Sequence, residues 1–185
     1  MPFLKSLPEN AGPPNVFKQY KEIYGPFSEM SQALMNGRSP LSPAERELIL
    51  AYAAGVSGNG FVFTGHSEVA YAWGYERGLL DRLVEDVDSA PVEEKLKPLL
   101  HFVRKLMLSP TEMAQADADA VFAAGWDEAA LHSAIAVAGR AAFMHRLVAG
   151  CGFEPLDPEV AARHAKKRVE KGYVNLYSAF RKTEG

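Results

Sequence analysis

The residues best suited to chemistry in this chain are a histidine and a glutamate nineteen positions apart, His66 and Glu47. His66 closes the run Gly58-Asn59-Gly60-Phe61-Val62-Phe63-Thr64-Gly65-His66, which holds no other titratable side chain. On a helix, positions 59, 62, 63 and 66 are three or four residues apart, so Asn59, Val62, Phe63 and His66 share one face. Glu47 belongs to the preceding segment. It meets His66 if the two segments pack as an antiparallel helical hairpin across the short Ser57–Asn59 turn. A carboxylate beside an imidazole fixes its tautomer and supports its charged form, the usual equipment for moving protons near neutral pH. The plainer alternative is a half-buried histidine bonded to a backbone carbonyl, with Glu47 exposed in the second turn of its helix.

The elements that must position this pair read as helices throughout. Apolar residues recur at spacings of three and four, and no stretch sustains the alternation of a strand, so the fold class is all-α with a single domain. The sharpest local signal is Ser42-Pro43-Ala44-Glu45: a capping serine, a proline at the first helical position and a glutamate three residues after the cap. The helix it opens carries Leu48, Ile49, Tyr52, Ala53 and Val56 on one apolar stripe and ends near Gly58. The helix bearing His66 is expected from about Asn59 to Glu76, with a short helix at 81–87 after Gly78.

Elsewhere, residues 1–14 read as an extended proline-rich arm. Asn15 is placed as the cap of a helix reaching Met35 and broken at Gly25-Pro26. Residues 91–108 form a further helix with a break at Pro98, Thr111 caps a helix over 112–124, and Asp127 opens a long one to about Ala149. A C-terminal helical tail over 158–185, helical at 158–171 and again at 174–180, packs on the domain of residues 15–157 or on a neighbouring subunit. Within that tail, Arg163-His164-Ala165-Lys166-Lys167-Arg168 is read as a solvated helix face.

Composition narrows the function classes. The chain has 185 residues, 48% of them hydrophobic and 23% charged, with a formal net charge of −3. No nucleic-acid partner and no membrane partner is expected, because basic residues are scattered and no long apolar run occurs. No secretory signal is read at the N-terminus, and the expected compartment is cytoplasmic. Cys151 is the only cysteine, so no intrachain disulfide or two-thiol redox cycle is available. His132 and His145 lack the compact spacing of a metal-binding pair, and no metal or cofactor is expected.

The segment LSPAERELILAYAAGVSGNGFVFTGHSEVAYAWG, residues 41–74, resembles the core motif of the carboxymuconolactone decarboxylase and alkylhydroperoxidase D superfamily. The likeness continues through 99–107, 125–138 and Phe143–Gly152, a pattern similar to the peroxidase-related branch. It implies an AhpD-like helical bundle that assembles as a homo-oligomer (dimer, trimer or hexamer). It places the family's proton-relay histidine on His66 and its glutamate on Glu47. The paired cysteines of the peroxidase branch fall on Asn59 and Val62, which have no thiol, so the dithiol mechanism is lost. The decarboxylase branch also lacks the pair and keeps the histidine, often after aromatics such as Phe61 and Phe63.

The expectation is an enzyme that performs acid–base chemistry, decarboxylation or a related proton transfer, on a small organic acid or carbonyl compound. Its catalytic residues are His66 and Glu47, and its substrate is bound by Asn59, Phe61, Val62, Phe63 and His145. The cation is expected from among Arg38, Arg46, Arg77, Arg140 and Arg146, with Arg140 and Arg146 first because their helix should pass near the cleft. Two alternatives stand beside it: a non-catalytic binding relic of the family, and an antioxidant protein acting through Cys151.

Overall fold

The computed structural model describes residues 1–176, and every regular element among them is helical. In chain order these are α1 (Pro13–Gln19), α2 (Lys21–Asn36), α3 (Pro43–Val56), α4 (Gly60–Ala72), α5 (Leu79–Glu85), α6 (Leu96–Leu108), a 3₁₀ turn at Pro110–Glu112, α7 (Gln115–Ala123), α8 (Glu128–Gly150) and α9 (Pro158–Lys171). No helix among them is long and apolar enough to cross a membrane.

The centre of the fold is α3. Ser42 Oγ accepts the Glu45 N–H and the Glu45 carboxylate accepts the Ser42 N–H, so the capping box forms as its sequence specifies. The single apolar stripe expected of this helix is too narrow a description. Residues from Arg46 to Ala54 are all buried, because α2, α4, α5, α6 and α8 pack around it. The one arginine in that run is absorbed structurally: Arg46 donates to the Leu34 and Gly37 carbonyls at 2.6 and 3.0 Å, satisfying orphan acceptors at the end of α2.

α3 and α4 form the expected hairpin. Gly58 turns the chain with φ 72°, and Gly55 lets the pair close, since a Cβ there would lie 2.5 Å from Val84 and 2.8 Å from the Phe63 ring. α9 returns along α4, burying Ala161 and Ala165.

Several boundaries differ from the sequence reading. The break in the first helical segment falls at Tyr20 (φ −119°, ψ 58°), whereas Pro26 stays inside α2. Pro26 and Glu22 are both exposed, so water can serve the carbonyl that the missing N–H abandons. Gly12, not Asn15, caps α1. α6 begins at Leu96, which puts Pro98 in the first turn, where an N–H has no helical partner to lose. α4 ends at Ala72, and α7 begins at Gln115 with Asp117 bonding back to the Ala114 N–H in place of a Thr111 cap. Asp127 caps α8 and Asp157 caps α9 through their carboxylates. Most of the segment expected to be helical at 174–180 lies outside the described residues.

Candidate active site

The hairpin brings His66 and Glu47 together in the interior. His66 Nδ1 lies 2.7 Å from Glu47 Oε2, and the two residues are 7% and 2% exposed. A third group completes the carboxylate's coordination: the Tyr173 phenol donates to Glu47 Oε1 at 2.5 Å. With both oxygens occupied by donors, Glu47 is held as the anion and Nδ1 carries the imidazole hydrogen. Nε2 then keeps its lone pair, and no hydrogen bond to it is formed among the described residues.

The charges agree with this assignment. Burial lowers the His66 pKa to about 4, outweighing the attraction of Glu47, and Arg168 and Arg140 push in the same direction as burial. Burial alone would raise Glu47. The charge and hydrogen bond of His66, the Arg168 charge and the Tyr173 hydroxyl together overcome it, so the carboxyl titrates below its ordinary range. Burial, then the neighbouring carboxylate, pushes the Tyr173 phenol well above its usual value. The resting state near neutral pH is a neutral imidazole on an ionised carboxylate beside a protonated phenol.

His66 opens onto a cavity of about 80 Å³. Its walls include Phe61, Val62 and Gly65 of α4, Arg140 and Met144 of α8, and Arg168 of α9. An apolar cavity of about 150 Å³ holds benzene, so a void of this size takes a smaller molecule. Arg140 is 5% exposed, donates from Nε to Ser31 Oγ at 3.0 Å, and lies over the rings of Phe27 and Tyr173 at 5.6 and 4.6 Å.

Of the residues singled out in the sequence, His66, Glu47, Phe61, Val62 and Arg140 thus gather at one place, Glu47 behind the imidazole and the others on the cavity wall. Asn59, Phe63, His145 and Arg146 do not. The Asn59 side chain is turned back to accept the Val62 N–H as the cap of α4. Phe63 is rotated about 100° from Val62 and packs against Gly55. On α8 that same rotation per residue carries His145 and Arg146 away from the face shared by Arg140 and Met144. They line a separate groove with Ile135 and Gly139, and Arg146 donates to its own helix at the Ala142 carbonyl.

Cys151 caps the end of α8, is buried and lies outside the cavity wall; burial raises its thiol pKa. His132 is exposed. Among the described residues, no three His, Cys, Asp or Glu side chains cluster as metal ligands.

Tyr173, Arg168, Ser31 and Gln32 were not found by sequence reasoning. A signal existed for Arg168: Ala161, His164, Ala165 and Arg168 follow three- and four-residue spacing, which puts one edge of the basic run inward. Nothing local marks Tyr173, which lies 126 residues beyond Glu47.

The arrangement of helices has relatives among solved structures. An uncharacterized peroxidase-related protein from Silicibacter sp. TM1040 superimposes with a TM-score of 0.70 at 23% identity, over 77% of this chain and 76% of that one. An alkylhydroperoxidase AhpD core, an uncharacterized peroxidase-related protein from Ralstonia eutropha JMP134, gives 0.73 at 16% identity over 82% and 78%. The fold is therefore the AhpD-like helical fold. No family model matches the sequence, and no curated protein matches it.

Proposed function

We propose that this protein is an enzyme that moves a proton on a small organic acid or carbonyl compound, in the manner of the carboxymuconolactone decarboxylases, with His66 as acid–base and Glu47 as its orienting partner. The observation that carries the reading is the buried His66 Nδ1–Glu47 contact of 2.7 Å, made where the imidazole borders a cavity lined by Arg140. A neutral imidazole suits removal of a proton as the first step. Nε2 takes a proton from the carbon next to a carbonyl, the C–H electron pair moves into the enolate, and the imidazolium returns the proton to that carbon or its neighbour. Where that carbon carries a carboxylate instead, the C–C bond breaks, carbon dioxide leaves, and the same enolate is protonated by water through His66. Arg140 and Arg168 line the same cavity, which supports a role for them in balancing the developing oxyanion.

Support for the thiol route is lacking: Cys151 is buried, its thiol is pushed up, and it is not on the cavity wall. Homo-oligomeric assembly and a cytoplasmic setting belong to the same proposal. Supporting assembly, Tyr20 at the start of α2 and Ile23 and Met30 within it stay exposed, with Phe143 of α8 beside Phe27 at 4.7 Å.

The test is exchange in D₂O. Short keto acids, aldehydes and unsaturated acids are incubated with the protein and followed by NMR for deuterium at carbon or loss of carbon dioxide. Turnover of one of them, lost in His66→Gln with the fold intact, supports the proposal. No reaction across the set, or equal rates in the variant, contradicts it.

A further inference from the structure

We propose that Tyr173 is a positioning residue for the His66–Glu47 pair, holding the carboxylate so that the imidazole keeps its hydrogen on Nδ1 and presents a bare Nε2 to the cavity. This inference rests on the functional reading of His66 given above, and it assigns a role to a residue beyond the helical hairpin that carries the other two.

The geometry around Tyr173 is built for one placement. α9 ends at Lys171, and Gly172 reverses the chain at φ 67° and ψ −156°, a region open essentially to glycine alone. A Cβ at Gly172 would fall 2.3 Å from Gln32 Oε1. That same oxygen accepts the Tyr173 N–H at 2.6 Å, so α2 fixes the backbone at the point where the side chain turns inward. The ring then lies between two guanidinium groups, Arg140 at 4.6 Å and Arg168 at 4.7 Å from its centroid. Its hydroxyl ends on Glu47 Oε1, and the whole residue is 3% exposed. Backbone anchor, ring and hydroxyl are each held by a different element: α2, the α8–α9 pair and α3.

The hydroxyl has a definite effect on the pair. A hydrogen bond donated to a carboxylate spreads its charge and favours the anion. An anion so satisfied pulls less on the imidazole proton, and the neutral imidazole is retained to lower pH. The other charged or titratable groups facing His66 and Glu47 are Arg46 on α3, Arg140 on α8, and Arg168 with His164 on α9. None of these donates to Glu47 Oε1, so the phenol has no substitute there among the described residues. Tyr173 also forms part of the cavity wall, so the donor that occupies Glu47 Oε1 belongs to the segment lining the site.

The test is a titration that needs no substrate. Protein labelled with ¹³C at the histidine Cε1 is titrated by NMR, with the His66 signal assigned by its absence from His66→Gln. In Tyr173→Phe, which keeps the ring and removes only the hydroxyl, the apparent His66 pKa should rise by about one pH unit. A folded Tyr173→Phe protein in which His66 titrates as in the wild type overturns the inference. So does lowered thermal stability with an unmoved titration, the signature of a merely structural tyrosine. Should Tyr173→Phe fail to fold, Gln32→Ala releases the backbone anchor with the phenol intact. It must shift His66 in the same direction, and an unchanged His66 there also overturns the inference. These outcomes are independent of the D₂O exchange assay: an unmoved titration with turnover intact removes Tyr173 alone, and a moved titration with no turnover removes the catalytic reading alone.

Discussion

Glu47 and Tyr173, 126 residues apart in the chain, meet through a 2.5 Å hydrogen bond in the interior, and the opposite oxygen of Glu47 holds His66. The carboxylate is therefore a junction between the hairpin that carries the histidine and the C-terminal segment that closes over it. Breaking the junction from the carboxylate side should be costly. Glu47→Ala leaves a buried phenol and imidazole without their shared acceptor, and a loss of about 3–5 kcal/mol in urea unfolding is expected. Glu47→Gln, which keeps shape and one acceptor, should lose less than half as much. Equal losses for the two variants would mean that packing, not the carboxylate, is what matters at this position.

Stability should fall with acid in a window set by His66. Its pKa is about 4 when folded and near 6.5 when unfolded, so between those values the unfolded chain binds the extra proton. The contribution is fully present above pH 6.5 and is lost progressively as pH drops toward 4, by on the order of 2–3 kcal/mol. His66→Gln should flatten the stability curve across that interval. A wild-type curve already flat there would show that the imidazole is not kept neutral by the fold.

Gly65 sits in α4 on the cavity wall, and a Cβ added there meets nothing within 4 Å. Gly65→Ala should therefore stabilise the protein by about 0.5–1 kcal/mol, through helix propensity alone. The added methyl also narrows a cavity of only about 80 Å³, so turnover of the larger substrates found by the exchange assay should fall first. A destabilised Gly65→Ala protein in thermal unfolding would contradict the open space at this position.

Cys151 should be slow to react. A buried thiol with a raised pKa presents little thiolate, so modification by a disulfide reagent at pH 8 should be at least about 100-fold slower in the native protein than in urea. Comparable rates in the two conditions would place the thiol within reach and reopen the antioxidant reading.

The exposed stripe of Tyr20, Ile23 and Met30 predicts assembly through α2. Sedimentation should give a multiple of the chain mass, reduced by the double variant Ile23→Glu and Met30→Glu. A monomeric wild type would remove the homo-oligomer from the account.

What the sequence made legible follows the range of the interactions involved. The Ser42–Glu45 box, the Asp127 cap and the α3–α4 hairpin depend on residues a few positions apart, and each is found as read. Helix rotation likewise brings Val62 and His66 to one wall, but it carries Phe63 off that wall, and capping diverts Asn59. The break at Tyr20 escaped because Pro26, the stronger local signal, lies on a solvated face where its cost is small. Arg168 was passed over because the basic run read as a solvated face, although the spacing of Ala161, His164, Ala165 and Arg168 marks an inward edge. Tyr173 escaped because Gln32, Glu47 and Arg140, all distant in the chain, place it.

Whether His66 is a neutral base with its hydrogen on Nδ1 and a lone pair on Nε2 is decided by ¹⁵N NMR of the labelled histidines at pH 7. The His66 resonances should show a protonated Nδ1 and an unprotonated Nε2, unchanged down to about pH 5. An imidazolium at pH 7, or a neutral ring with its hydrogen on Nε2, would contradict it.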